Sequence, residues 1–175
     1  AMRVEGWTVD GGTIYVGTEF ANGAIVLDAA ATFEPSVIDF RRNGTMTAQD
    51  GAASSFVMDG SGTLVKSGGT GSTDITCTTD LFGCSIECTS GFLRFMPSTF
   101  TAPVTIEDCA LTSWALSHIV FGRDTCFVGD TSMTLEGGTV QLIAGDHVNN
   151  GRMFTTFEES GAFQLIGGSL TGGVI

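Results

Sequence analysis

The chain has 175 residues, the length of one domain, and its 25 glycines with 42% hydrophobic residues describe a body that buries a core while turning often. Its formal net charge is −12, from 19 acidic against 7 thinly spread basic side chains. That balance excludes direct nucleic-acid binding, which needs a basic stripe to neutralise phosphates, and it disfavours anionic membrane surfaces; no apolar run approaches membrane-spanning length.

Ala1 precedes Met2, and with Met2 read as the natural start the first strand falls a few residues into the chain, with no leader expected. From there a short motif recurs: two apolar residues one apart, then an acid, then a turn of small residues. Trp7-Thr8-Val9-Asp10-Gly11-Gly12 comes first, Ile25-Val26-Leu27-Asp28-Ala29-Ala30 second and Phe56-Val57-Met58-Asp59-Gly60-Ser61 third. Cys84-Ser85-Ile86-Glu87, Val104-Thr105-Ile106-Glu107 and Met133-Thr134-Leu135-Glu136 follow, and Phe163-Gln164-Leu165-Ile166 closes the series without its acid. The spacing of 18 to 31 residues between stations is that of a solenoid or array, one coil per station.

Within each station the two apolar residues share one face of a strand, while the residue between them and the acid face outward. The alternation resumes after the turn at Ile14 and Val16 and again at Val140 and Leu142, so each coil is expected to hold at least two short strands. Glycine pairs at 11–12, 137–138 and 167–168 supply the bends. Abundant Thr, Val, Ile and Phe fit strands, and no long helical spacing occurs.

From Trp7 to Leu170 this pattern resembles the right-handed parallel β-helix, the fold of pectate lyases and their relatives, of many phage tailspikes and of several other virion surface proteins. The resemblance is one of architecture and includes no family's catalytic motif. It implies an all-β fold: a single domain over 1–175, a short right-handed parallel β-helix of about seven coils. At about 4.8 Å per coil the column would be roughly 34 Å long.

If the coils stack in register, the acids form a ladder, and Asp10, Asp28, Asp59 and Glu87 are its best cation ligands, with calcium the cation expected. The plainer account is that each acid caps its own turn. The cysteines Cys77, Cys84, Cys88, Cys109 and Cys126 are odd in number, which fits reduced thiols packed as small apolar residues. No cofactor is required, and no nucleophile–base order, phosphate loop or dinucleotide fingerprint appears.

Two Asn-Gly turns interrupt the repeat and are expected to project as partner contacts: Arg41, Arg42 and Asn43 in one, Asn150 and Arg152 in the other. Residues 66–74 read as the nearest thing to a flexible insert. Val174 and Ile175 follow a glycine-rich stretch with no polar cap, so they are expected to be buried against another subunit.

The resemblance implies two roles. The first is a non-enzymatic virion structural protein, a phage capsid decoration (cement) or tail-associated module that folds in the host cytoplasm. It would assemble as a homotrimer and meet other capsid or tail proteins. The alternative is an extracellular carbohydrate-binding or polysaccharide-degrading β-helix that uses the acidic ladder with calcium and offers Tyr15 and Trp114 to glycan rings.

Overall fold

The computed structural model describes residues 2–4, 8–10, 12–17, 22–27, 31–34, 36–48, 55–96, 104–114, 116–122, 124–158 and 160–174. Alternation at period two makes strands throughout them. Coil 1 holds β1 (Met2–Val4), β2 (Thr8–Asp10) and β3 (Thr13–Val16), and coil 2 holds β4 (Gly23–Leu27), β5 (Ala31–Glu34) and β6 (Val37–Phe40). Coil 3 is β7 (Gly44–Ala48), β8 (Ser55–Met58) and β9 (Thr63–Lys66), and coil 4 is β10 (Ser72–Ile75), β11 (Thr78–Phe82) and β12 (Ser85–Cys88). Coil 5 is β13 (Phe92–Phe95), β14 (Val104–Glu107) and β15 (Ala110–Trp114), and coil 6 is β16 (His118–Phe121), β17 (Thr125–Val128) and β18 (Asp130–Glu136). Coil 7 is β19 (Thr139–Ile143), β20 (Asp146–Asn149) and β21 (Arg152–Glu158), followed by β22 (Ala162–Ile166) and β23 (Ser169–Thr171).

Every third strand pairs in parallel, which gives a β-solenoid of three sheets: β1 to β22, β2 to β23 and β3 to β21. Each coil therefore has three strands, one more than the minimum read from the sequence. The stations do fall in different coils, but they take different sheets: those of β2, β8 and β14 lie on the second, those of β12 and β18 on the third, and those of β4 and β22 on the first. Coil 7 carries none. The repeat read along the chain thus has the right number and a drifting phase, because corners differ in length from coil to coil.

Parallel pairing stacks each inward side chain on its equivalent. On the first sheet the row is Ile25, Met46, Ile75, Phe95, Phe121 and Leu142. On the second it is Phe33, Met58, Leu81, Ile106 and Phe127, and on the third Ile38, Leu64, Ile86, Leu111 and Met133. All are buried, and each is worth about 1.5–3 kcal/mol relative to exposure. Phe95 stacks on Phe121 at 5.1 Å, and Phe121 meets Phe127 edge-on at 5.8 Å, which ties the first sheet to the second.

The inward rows also admit polar side chains. Phe40, Lys66, Cys88 and Ser113 succeed one another on the third sheet. Lys66 is fully buried, and its ammonium donates to the carbonyls of Gly68 and Gly69. Those contacts pin residues 67–71 as a corner between β9 and β10, so the expected flexible insert is a tight turn instead. Burial lowers the Lys66 pKa, and the charge of nearby Cys88 opposes that shift.

Corners stack as closely as strands. Gly91 has φ 67, and a Cβ there would lie 2.4 Å from the Gly71 carbonyl oxygen and 2.7 Å from that of Gly69. Gly60 has the same φ with nothing within 4 Å of such a Cβ. Gly91→Ala should therefore lower stability by more than about 1 kcal/mol, and by more than Gly60→Ala, which carries only the backbone penalty. Equal denaturation midpoints for the two variants would refute the stacked-corner explanation.

Candidate functional site

Register decides which acids meet. Asp10 pairs with Glu34, and the Phe33–Met58 pairing sets Asp59 next along that row, so three acids occupy successive coils on the second sheet. Glu34 escaped the sequence reading because Ala31 stands where other stations carry a large apolar residue. Phe82, opposite Glu107, ends the row. Glu87 lies on the third sheet between Val65 and Thr112, away from the others.

Asp28 and the side chains of Asp10 and Glu34 lie outside the described residues. Asp59 is exposed, and its carboxylate accepts a 2.7 Å hydrogen bond from the Gly60 amide, the turn-capping role. Among the described residues, no three or more His, Cys, Asp or Glu side chains converge as a metal site.

The two Asn-Gly turns are corners of the column. Arg41 lies 3.5 Å over the Tyr15 ring and 3.4 Å from Asp39, while Asn43 accepts from the Gly71 amide at 3.0 Å. Arg42 shares this corner, between β6 and β7. Four coils further on, Asn150 contacts Cys126, and Arg152 makes two hydrogen bonds to Asp130, the shorter 2.6 Å. Arg152 and Val174 bridge in parallel, so Asn150, Arg152 and Val174 form one neighbourhood, separate from 41–43. Ile175 lies outside the described residues.

A groove that the sequence reading missed runs along the outer face of the first sheet. Asn22, Asn43 and Ser72 line one side, Ala24, Thr45 and Asp74 its floor, and its volume is about 460 Å³. Side chains lengthen along the floor row from Ala24 through Thr45 and Asp74 to Arg94, and this step makes the trough. Arg94 closes it, donating to both Asp74 oxygens at 2.7 and 2.6 Å and to the Ser72 hydroxyl at 3.1 Å. The hydrogen bonds that Arg94 donates to Asp74 raise its pKa further.

Ser72 pairs with Phe92, which opens onto a second depression of about 380 Å³ lined by Thr70, Thr89, Ser90 and Leu116. Phe92 stacks on His118 with centroids 4.5 Å apart and planes 10° apart. Leu116 is 88% exposed with φ 61, a left-handed conformation uncommon for leucine. The result is an axial strip, polar at one end and aromatic at the other. Only register could reveal it, since the residues it brings together from successive coils lie 20 or more positions apart.

No family model, curated protein or solved structure matches the chain.

The interior also holds a histidine. His147 is fully buried in the inward row before Leu170, with no hydrogen-bond partner for either ring nitrogen. Burial lowers its pKa, and the charges of Asp124 and Asp146 oppose this in part; burial lowers His118 as well. A depressed folded pKa means that the unfolded chain binds the proton first, so stability should fall as pH drops through about 6.5 toward the folded value. Denaturation midpoints between about pH 7 and about pH 5 should decline in the wild type and decline less in His147→Leu. Identical slopes would remove His147 as the cause.

Proposed function

We propose that the protein is a non-enzymatic structural solenoid that works as a homotrimer, a module of the kind that decorates a virus capsid or tail within the virion. The observation that carries this reading is the set of large apolar residues exposed on β21, β22 and at Val174. Phe157 and Leu165 continue the buried rows of Leu135 and Leu142 but are 56% and 47% exposed. Phe154, Ile166 and Val174 are exposed beside them. Single exposed apolar residues are ordinary, whereas several large ones gathered on neighbouring strands favour association.

The third sheet supplies a face for three columns side by side. Its outward rows include Thr63, Ser85, Ala110 and Ser132, then Thr112, Thr134 and Thr156, all short enough for close approach. Phe154 extends the first of these rows. Contact between identical ends would give a two-fold dimer instead. Basic surfaces on capsid or tail proteins suit the acidic column as further partners.

Light scattering should give a trimer mass for the wild type and a lower mass for Phe154→Asp, an outward position whose change spares the core. A wild-type monomer across the concentration range sinks the reading, and a dimer replaces the three-fold arrangement with end contact. Repeating the measurement with calcium and with chelator tests whether the Asp10, Glu34 and Asp59 row takes part.

The groove favours a second reading, a linear oligosaccharide laid along the first sheet. An aromatic face beside Ser72, Asn43 and the Asp74–Arg94 pair offers sugars both a stacking surface and planar polar groups. Titration with neutral oligosaccharides should perturb amide resonances of β10 and β13, and Phe92→Ala should abolish the effect. No perturbation at millimolar ligand would retire this reading.

A further inference from the structure

Cys84 and Cys109 occupy equivalent positions in adjacent coils, each one residue before a strand of the third sheet. Ser85 pairs directly with Ala110, and the Ala110 amide donates to the Cys84 carbonyl at 2.9 Å, so the pairing extends to the cysteines themselves. Their Sγ atoms are 3.3 Å apart, and both residues are buried, 3% and 2% exposed. Neighbouring strands lie about 4.8 Å apart, inside the backbone separation that a disulfide accepts. Closing the bond requires the sulfurs to approach by only about 1.3 Å.

The other thiols are engaged elsewhere. Cys77 sits beside Thr79, with its pKa pushed up to about 12 by burial. Cys88 faces the Ser90 and Gly91 carbonyls, and Cys126 points outward toward Asn150.

We propose that Cys84 and Cys109 are a latent disulfide, an oxidation site that staples coil 4 to coil 5 when the protein meets an oxidising thiol–disulfide pool. With oxidised glutathione as oxidant, one cysteine thiolate attacks a glutathione sulfur, forming a mixed disulfide and releasing one glutathione thiolate. The second cysteine thiolate then attacks the protein sulfur of that mixed disulfide and releases the second. Two protein thiols lose two protons and two electrons, and one oxidised glutathione becomes two reduced molecules.

The corner decides the rate. The hydrogen bond with Cys109, together with burial, holds the Cys84 thiol protonated, so exchange waits on opening of the corner. That corner is built on exposed residues in left-handed conformations, Gly83 with φ 58 and Asp108 with φ 50. In a reducing cytosol the pair stays as two packed thiols. In an oxidising medium it becomes a covalent cross-link between residues 25 apart. The proposal stands apart from the oligomeric and glycan readings, because both sulfurs belong to one chain and neither lies in the groove.

The test uses Cys126→Ser, which removes the outward thiol, incubated folded with oxidised glutathione and then analysed by peptide mass spectrometry without reduction. The expected result is loss of two hydrogens, a Cys84–Cys109 cross-linked peptide, and a melting temperature raised by about 5–10 °C that reductant reverses. Adding Cys109→Ala should abolish both cross-link and shift. The redox comparison in the Cys126→Ser protein stands by itself if that variant folds poorly. Four thiols persisting in the folded protein, a cross-link through Cys77 or Cys88, or a cross-link without a rise in melting temperature would each overturn the proposal.

Discussion

Parallel pairing in register is the constraint on which everything else in this molecule depends. Each strand hydrogen-bonds to the strand three places before it and three places after, so every side chain stands over its equivalent in the next coil. Inside, that rule turns unrelated stretches of chain into continuous apolar rows. It also makes the interior unforgiving: a shift of one residue would send Ile86 and Leu111 to solvent and bring Glu87 and Thr112 into the core.

The same rule works on the surface as a lottery with physical consequences. Asp74 lands under Arg94, and Asp130 under Arg152, so two bidentate pairs each join adjacent coils. Asp10, Glu34 and Asp59 land in one row, while Phe82 separates Glu107 from them and Glu87 is carried to the third sheet. The groove on the first sheet has the same origin, because small outward residues in coils 2 and 3 precede long ones in coils 4 and 5.

Rigidity of this kind lets the interior hold polar groups. Lys66 replaces an apolar residue in its row, yet its ammonium fills two corner carbonyls, so it closes the turn that follows it. Ser113 and Ser117 bond to each other, and the Ser117 hydroxyl also reaches the carbonyls of Cys88 and Trp114. His147 has no such compensation, and it is where protonation opposes the fold. The thiols at the corner of the second and third sheets show how stacking brings together reactive groups that the chain holds far apart.

By itself the sequence determined the class of fold. The two-residue spacing in Phe56-Val57-Met58 or Val104-Thr105-Ile106 dictates strands with one buried face, and their recurrence dictates stacked coils. These are local facts, set by side-chain alternation and by turn residues that accept left-handed backbone. The third strand of each coil was less visible, because Thr63-Leu64-Val65-Lys66 ends in a lysine that reads as solvent and is buried. Which residues meet across coils was decided only by tertiary structure. Corners of unequal length change the phase of the repeat, so equal spacing along the chain does not become alignment in space. That is why the acids read as one ladder disperse, while Phe92, Ser72 and Asn43, or Cys84 and Cys109, come together without any signal in sequence.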